Sequence, residues 1–270
     1  MSADPRPLTA PDLLALKASG RRIVMLTCYD ATFAGLLQEL EVDVLLVGDS
    51  VNQVVAGQET TLSATLDQMI YHASAVRRGA PRALLFVDLP FLTYQVSISE
   101  AIHNAGLVLQ QSGANGVKLE GGRYMAETVA ALVERGIPVI GHLGLTPQSV
   151  HALGGYRVQG RAPDAADRLL ADALALEQAG ACAIVLELIP SAIARRISTG
   201  LTIPTIGIGA GPGCDGQVLV LYDMLGLNEM FSPKFLKRFA DLGGAVRAAV
   251  SGFAKEVREG RYPGPEHSFE

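Results

Sequence analysis

Two aspartates, Asp49 and Asp88, each follow directly after an apolar run with the composition of a buried parallel strand. The first run covers residues 42–47 and the second covers residues 83–87. Ligands of α/β proteins collect at the carboxyl ends of such strands, and neighbouring strands lie about 5 Å apart. Two carboxylates at that separation repel each other unless a cation or a proton lies between them. The pair therefore predicts a site for a cation or a shared proton.

Further ionisable residues occupy the ends of later strand-like runs, namely Lys118, Glu120, His142 and Glu187. Lys118 and Glu120 are two residues apart, so their side chains share one side of the strand. Charged residues placed for solubility would not follow the strand periodicity in this way. The pattern indicates a polar site at one end of a parallel sheet.

Each of these residues also has a structural interpretation. A single Asp after a strand more often caps a helix or forms a turn than binds a ligand. His142 is equally consistent with a hydrogen-bonded core histidine, and Lys118 with a structural partner of Glu120. Glu187 lies among apolar neighbours, where a carboxylate is expected to be paired or held protonated. We expect function from the two aspartates together and from Glu187, and we leave Lys118 and His142 open.

Strand-like and helix-like segments alternate along the chain. The strand candidates cover residues 23–26, 42–47, 83–87, 116–119, 138–140, 182–186, 205–208 and 218–221. The helix candidates cover residues 11–19, 31–40, 63–78, 98–111, 125–135, 164–179, 191–198 and 233–260, and a long loop is expected at 51–61. Eight such units predict an α/β fold, a (β/α)8 TIM barrel, over a doubly wound sheet. We expect a single domain, residues 1–270, with helical additions at its N-terminal and C-terminal ends.

Composition excludes several classes of protein. The 270 residues are 49% hydrophobic and 18% charged, which is typical of a compact globular chain. A net charge of −5 gives no support for nucleic-acid binding. The first 22 residues lack the apolar core of a signal peptide, and no run has the length of a membrane span. Three widely spaced cysteines are typical of reduced thiols, so we expect a soluble, cytoplasmic protein.

Seven motifs together resemble the ketopantoate hydroxymethyltransferase family. They are VGDS at 47–50, VDLPF at 87–91, VKLEGG at 117–122, GHLGLTPQS at 141–149, GGYRVQGR at 154–161, IGIGAG at 206–211 and YPGPEHSF at 262–269. The resemblance runs in order from about Thr27 to Phe269, and the block from His142 to Gln159 is its most specific part. The chain departs from the usual family residues at 51–53, at 58–60 and at Leu188, but at none of the positions implied for the metal or the base.

The resemblance implies a TIM-barrel enzyme that opens pantothenate biosynthesis. Such enzymes transfer a hydroxymethyl group from the co-substrate 5,10-methylenetetrahydrofolate to 3-methyl-2-oxobutanoate, giving 2-dehydropantoate and tetrahydrofolate. Members of the family are typically cytoplasmic homodecamers, and one Mg²⁺ is expected in each subunit. The resemblance implies Asp49, Asp88 and Glu120 as metal ligands. It further implies that Asp49, Ser50, Asp88 and Lys118 contact the oxo acid and that Glu187 is the catalytic base.

The chemistry agrees with these roles. The carbon next to the ketone is too weak an acid for a free carboxylate to deprotonate, and chelated Mg²⁺ would stabilise the resulting enolate. Lys118 would neutralise the substrate carboxylate, and Glu187 would face the reacting carbon from across the barrel mouth.

Two other functions compete with this one. A Mg²⁺-dependent C–C lyase or mutase of the phosphoenolpyruvate mutase/isocitrate lyase type uses a similar barrel. Those enzymes tend to carry a reactive Cys or extra basic residues in a mobile loop, and the segment 51–61 has neither. A non-enzymatic binding barrel would have little reason to place ionisable groups at successive strand ends.

Overall fold

The computed structural model describes residues 6–269, which contain a closed barrel of eight parallel strands. The strands are Ile23–Thr27 (β1), Val44–Val47 (β2), Leu84–Asp88 (β3), Gly116–Glu120 (β4), Val139–Gly144 (β5), Ala183–Glu187 (β6), Thr205–Ile208 (β7) and Gly216–Leu219 (β8). Each strand pairs with the next one in sequence, and β8 closes the barrel against β1. The predicted TIM-barrel class is confirmed.

Helices follow most of the strands, as the sequence pattern predicts. They are Asp12–Ala18 (α1), Ala31–Gln38 (α2), Val51–Val54 (α3), Leu66–Gly79 (α4), Ile98–Ser112 (α5), Ala126–Val133 (α6), Pro163–Gln178 (α7), Ser191–Gly200 (α8), Leu221–Met224 (α9) and Leu242–Arg258 (α10). Short 3₁₀ helices cover Arg123–Met125, Pro147–Ser149 and Pro265–His267. Polar side chains begin several of the helices. Thr65 and Gln68 form a capping box before α4, and Ser97 caps α5 through the Glu100 backbone N–H.

Most element bounds differ from the predicted ones by a few residues, and three of the differences have a clear physical reason. Strand β8 begins at Gly216, two residues early, because the backbone there pairs with both β1 and β7 and leaves no room for a side chain. The segment predicted as a loop at 51–61 begins with the helical turn α3. The tail predicted as helical from residue 233 is α-helical only from Leu242, where the Asp241 carboxylate caps the helix through the Gly244 N–H.

The interior of the barrel changes from apolar to polar along the strands. Alternate residues face inward, so Leu84 and Phe86 precede Asp88 on β3, and Ala183 and Val185 precede Glu187 on β6. The apolar half forms one cluster with Leu13 and Leu16 of α1. The inward polar positions are thereby confined to the carboxyl end of the barrel.

The backbones of β5 and β6 approach each other closely at Gly144. This residue has a φ of 94°, and a Cβ there would overlap the backbone oxygen of Glu187. We expect Gly144→Ala to lower the free energy of unfolding by about 1–3 kcal/mol, because the strand must shift. Gly106→Ala in α5 is the matched control. A Cβ added at Gly106 would meet no atom within 4 Å, so the free energy of unfolding should rise by about 0.5–1 kcal/mol. Urea denaturation of both variants checks this, and an unaltered Gly144→Ala midpoint would contradict it.

The chain divides into two compact units, Met1–Val220 and Leu221–Glu270. The first contains the barrel, and the second contains α9 and α10. The single-domain organisation of residues 1–270 stays a prediction. Within residues 6–269, no helix has both the length and the apolar character needed to cross a membrane.

Candidate active site

Asp49 and Asp88 lie side by side at the carboxyl end of the barrel. Val47 of β2 is paired with Val87 of β3, so the two strands end at nearly the same height in the barrel. The backbone N–H of Asp49 donates to Oδ2 of Asp88 at 3.1 Å. Both side chains are buried, at 4% and 3% exposure. The structure thus brings the two aspartates together where the sequence pattern predicts a shared ligand.

Negative charge accumulates around Asp49. Burial raises the pKa of the Asp49 carboxyl well above its usual value, and the nearby Asp88 and Glu120 carboxylates raise it further. Lys118 and a hydrogen bond from Gln148 oppose that shift without cancelling it. An anion held in this way has a strong affinity for a proton or a metal cation.

Lys118 pairs with Asp88 rather than with Glu120. The two strands β3 and β4 place Asp88 and Lys118 opposite each other, and Nζ lies 2.8 Å from Asp88 Oδ1. Nζ also lies 3.3 Å from His142 Nδ1. Burial lowers the pKa of Lys118, but the attraction of Asp88, Glu120 and Asp49 outweighs it and keeps the pKa above the usual value. The lysine is therefore a fixed positive charge at the site.

His142 joins two carboxylates on neighbouring strands. Its Nδ1 lies 3.4 Å from Glu120 Oε1, and its Nε2 lies 3.2 Å from Glu187 Oε2. Burial and the Lys118 ammonium disfavour the imidazolium, but the two glutamates outweigh them and raise the pKa of His142 to about 9. The expectation that Glu187 is paired is therefore met by His142. The Glu187 side chain is 15% exposed and that of His142 is 3% exposed, so Glu187 is the more accessible of the two.

The loops around this cluster add polar contacts at its mouth. The hydroxyls of Ser50 and Tyr29 lie 2.8 Å apart. Gln53 of α3 donates to the Tyr156 hydroxyl at 3.0 Å and so connects α3 to the segment around Tyr156. Leu188 has a φ of 45°, a left-handed conformation that turns the chain immediately after Glu187.

Sequence analysis missed two residues that the structure places in the cluster, Gln148 and Tyr94. Both are buried, and the Tyr94 hydroxyl donates to Gln148 Oε1 at 2.6 Å. Gln148 belongs to the most specific motif, but that motif indicated no role for it. An isolated polar residue between Pro147 and Ser149 gives no periodic signal.

The donors fit a hard cation held by few protein ligands. Among the side chains described, no group of three or more His, Cys, Asp and Glu residues converges as a ready-made metal site. Asp88 Oδ1 and Glu120 Oε1 are nevertheless buried without a hydrogen bond and make only ion-pair contacts. Carboxylate oxygens are the ligands that Mg²⁺ prefers, and one or two of them often suffice beside substrate and water. The aspartate pair fits such an ion.

The comparison with known proteins decides the family. A model of the family described as ketopantoate hydroxymethyltransferase matches residues 7–265. The chain belongs to the ketopantoate hydroxymethyltransferase family. It is 53% identical over 264 residues to a 3-methyl-2-oxobutanoate hydroxymethyltransferase of Heliobacterium modesticaldum, and the matched region covers 98% of this chain and 96% of that relative. It is 56% identical over 260 residues to the enzyme of the same name from Magnetococcus marinus, covering 96% and 97%. The family and these relatives establish that the chain is an enzyme, a hydroxymethyltransferase.

Solved structures of other enzymes share the barrel. A 2,3-dimethylmalate lyase, described as a member of the PEP mutase/isocitrate lyase superfamily, superposes with a TM-score of 0.59 at 19% identity, covering 96% of this chain and 93% of the lyase. A phosphonopyruvate hydrolase solved with oxalate and Mg²⁺ gives 0.60 at 14% identity, covering 97% and 92%. At these identities the likeness establishes the fold and no shared activity.

Proposed function

We propose that this chain transfers a hydroxymethyl group from 5,10-methylenetetrahydrofolate to 3-methyl-2-oxobutanoate, with uptake of water, giving 2-dehydropantoate and tetrahydrofolate. The observation that carries the proposal is the convergence at one end of the barrel of two buried aspartates, a charged lysine and a carboxylate opposite them. These groups match the needs of an oxo acid that must be held by its carboxylate and ketone and then lose a proton. The name of the family supports hydroxymethyl transfer.

Asp49 and Asp88 would hold Mg²⁺, with Glu120 beside them. Support comes from the raised pKa of Asp49 and from the buried Asp88 Oδ1 and Glu120 Oε1, which face Lys118 and His142 and make no further hydrogen bond. When bound, the ion would supply Lewis-acid polarisation of the ketone, which lowers the cost of forming the enolate. A phosphonopyruvate hydrolase with the same fold was solved with Mg²⁺ and oxalate, which, like a 2-oxo acid, carries oxygen atoms on two adjacent carbons.

Lys118 and Ser50 would bind the oxo acid. Lys118 is a buried cation beside the aspartate pair, where it can attract the substrate carboxylate as well as balance Asp88. The Ser50 hydroxyl, held by Tyr29, supplies a neutral donor next to Asp49.

Lys118→Ala is expected to raise the KM for the oxo acid about 10–150-fold, because a charge-assisted hydrogen bond of about 1.5–3 kcal/mol is lost. Mg²⁺ affinity should not fall, since removing a neighbouring positive charge does not weaken Asp88 as a ligand. Steady-state kinetics and calorimetry check both points. Lys17→Ala is the control, because Lys17 pairs with Asp215 away from the cluster and should affect stability alone. An unaltered KM in Lys118→Ala, with only folate binding weakened, would reassign the lysine.

Glu187 would remove the C3 proton of the oxo acid. It ends β6, across the barrel from β2, and is the more accessible member of the His142–Glu187 pair. Both ring nitrogens of His142 already face carboxylates, so His142 orients Glu187 and leaves the proton transfer to that carboxylate.

A direct assay tests the reaction. Enzyme, Mg²⁺, 3-methyl-2-oxobutanoate and methylenetetrahydrofolate are incubated, and the products are identified by mass spectrometry. The proposal predicts 2-dehydropantoate, formed only when all components are present. Cleavage of the oxo acid or of a related C–C bond without folate would instead favour the lyase or mutase type.

We further propose that the enzyme acts in the cytoplasm as a homo-oligomer, a homodecamer by family resemblance, at the first step of pantothenate biosynthesis. Helix α10 supports self-association. Its exposed apolar residues Val246, Val250, Phe253 and Val257 recur at helical spacing on one face. Light scattering after size-exclusion chromatography measures the subunit number, and a monomer would contradict this part of the proposal.

A further inference from the structure

Gln148 contacts the carboxylates that follow two different strands. It lies in the 3₁₀ helix Pro147–Ser149, and its side chain is 6% exposed. Its backbone N–H donates to Glu120 Oε2 at 3.0 Å, and its Nε2 donates to Asp49 Oδ2 at 2.9 Å. A second Nε2 bond reaches the backbone oxygen of Leu89, which follows Asp88, at 2.9 Å. One residue thereby connects the segments that carry all three acidic side chains.

The orientation of the Gln148 amide is fixed from its other side. Oε1 accepts from the Tyr94 hydroxyl at 2.6 Å and from Gln95 Nε2 at 3.1 Å. The Tyr94 hydroxyl accepts in turn from the backbone N–H of Glu120 at 3.1 Å. An inverted amide would turn its NH₂ towards these donors and its carbonyl towards Asp49. All hydrogen-bonding positions of the amide are therefore used in one orientation.

A neutral donor suits this position for an electrostatic reason. The hydrogen bond from Nε2 fixes the position of the Asp49 carboxylate. Arginine or lysine could also donate to this carboxylate but would add a charge that repels the cation. An amide orients the carboxylate without that repulsion.

We propose that Gln148 is a positioning residue that orients the Asp49 carboxylate for the cation and the oxo acid. This inference rests on the proposed function, because it takes Asp49 as a ligand. Gln148 would act through Asp49 and Glu120, the two carboxylates to which it donates. Removing its amide should therefore weaken cation binding and leave the protein folded.

Mn²⁺ binding to the metal-free full chain, followed by electron spin resonance of the free ion, provides the test. Gln148→Met keeps the length of the side chain and removes its hydrogen bonds. It should weaken Mn²⁺ binding about 10–100-fold, the usual effect of losing a group that orients a ligand. Excess Mg²⁺ should then restore most of kcat, which a misfolded site would not allow. Gln159→Met makes the same substitution in the following loop, where the side chain bonds to Arg157 O, and should bind Mn²⁺ like the wild type.

Two further variants separate the possible failures. Tyr94→Phe removes the hydroxyl that fixes the amide and should weaken Mn²⁺ binding in the same direction but less, so it tests the network if Gln148→Met does not fold. The inference would be overturned if Gln148→Met is folded and its Mn²⁺ affinity lies within about twofold of the wild type. This conclusion requires that Asp49→Asn abolishes Mn²⁺ binding. Wild-type affinity in Asp49→Asn would instead overturn the metal role assigned to Asp49.

Discussion

Asp49→Asn is expected to abolish Mg²⁺ binding and to lower kcat/KM by about 10²–10⁴-fold, the several kcal/mol that a Lewis acid contributes. The metal-free variant should nevertheless be at least as stable as the wild type. The folded-state pKa of Asp49 is raised by burial and by Asp88 and Glu120. Ionisation of Asp49 therefore lowers the free energy of unfolding. That cost begins as the pH rises above the unfolded-state pKa of about 4 and is complete above the folded-state pKa. The neutral Asn removes it.

Asp43→Asn is the matched control, since Asp43 precedes β2 whereas Asp49 follows it. Asp43 is also buried, but it pairs with Arg21 at 2.7 Å and accepts from the Val24 N–H. Its replacement should lower stability and leave Mg²⁺ affinity unchanged. Calorimetric titration with Mg²⁺ and thermal unfolding at pH 8 measure both properties of both variants. Unchanged Mg²⁺ affinity in Asp49→Asn, or a large loss of its stability, would contradict the assignment.

Glu187→Gln is expected to slow enolisation of the oxo acid by about 10²–10⁴-fold, the usual contribution of a general base. Gln keeps the size of the side chain and a hydrogen-bond acceptor for His142 but cannot accept the C3 proton. Mg²⁺ and oxo-acid binding should therefore persist. The step is followed without folate, as the loss of the C3 proton signal in D₂O by NMR.

Glu177→Gln makes the same change at a carboxylate that bonds to the backbone of Thr202 and Ile203, and it should exchange like the wild type. Wild-type exchange in Glu187→Gln together with lost turnover would reassign Glu187 to folate binding. His142 would then become the leading candidate for the base.

The barrel, and the location of the site at the carboxyl end of its strands, could be predicted from the sequence because both depend on local patterns. Apolar runs that end in an ionisable residue mark a buried strand and its carboxyl end, as at Asp49 and Asp88. Loop positions were less predictable. The segment after Ser50 forms a helical turn because its amides bond to carbonyls three and four residues back, which no apolar period marks.

The partners within the site could not be predicted. Lys118 and Glu120 share one side of β4, which favoured a pair between them. The register of β3 and β4 places Asp88 directly opposite Lys118, and cross-strand neighbours lie closer than residues two apart along a strand. Register is a property of the assembled sheet. Gln148 and Tyr94 lie outside the strands, so their contact with Glu120 depends entirely on the tertiary structure.

The proposed function requires that this chain form the enolate of 3-methyl-2-oxobutanoate with a metal held by its aspartate pair. Its most direct test is the rate of C3 proton exchange by the wild-type enzyme in D₂O without folate, with Mg²⁺ and with excess chelator. We expect rapid exchange with Mg²⁺ and exchange near the uncatalysed rate with chelator. Equal exchange under both conditions, or none in either while the full reaction proceeds, would contradict it.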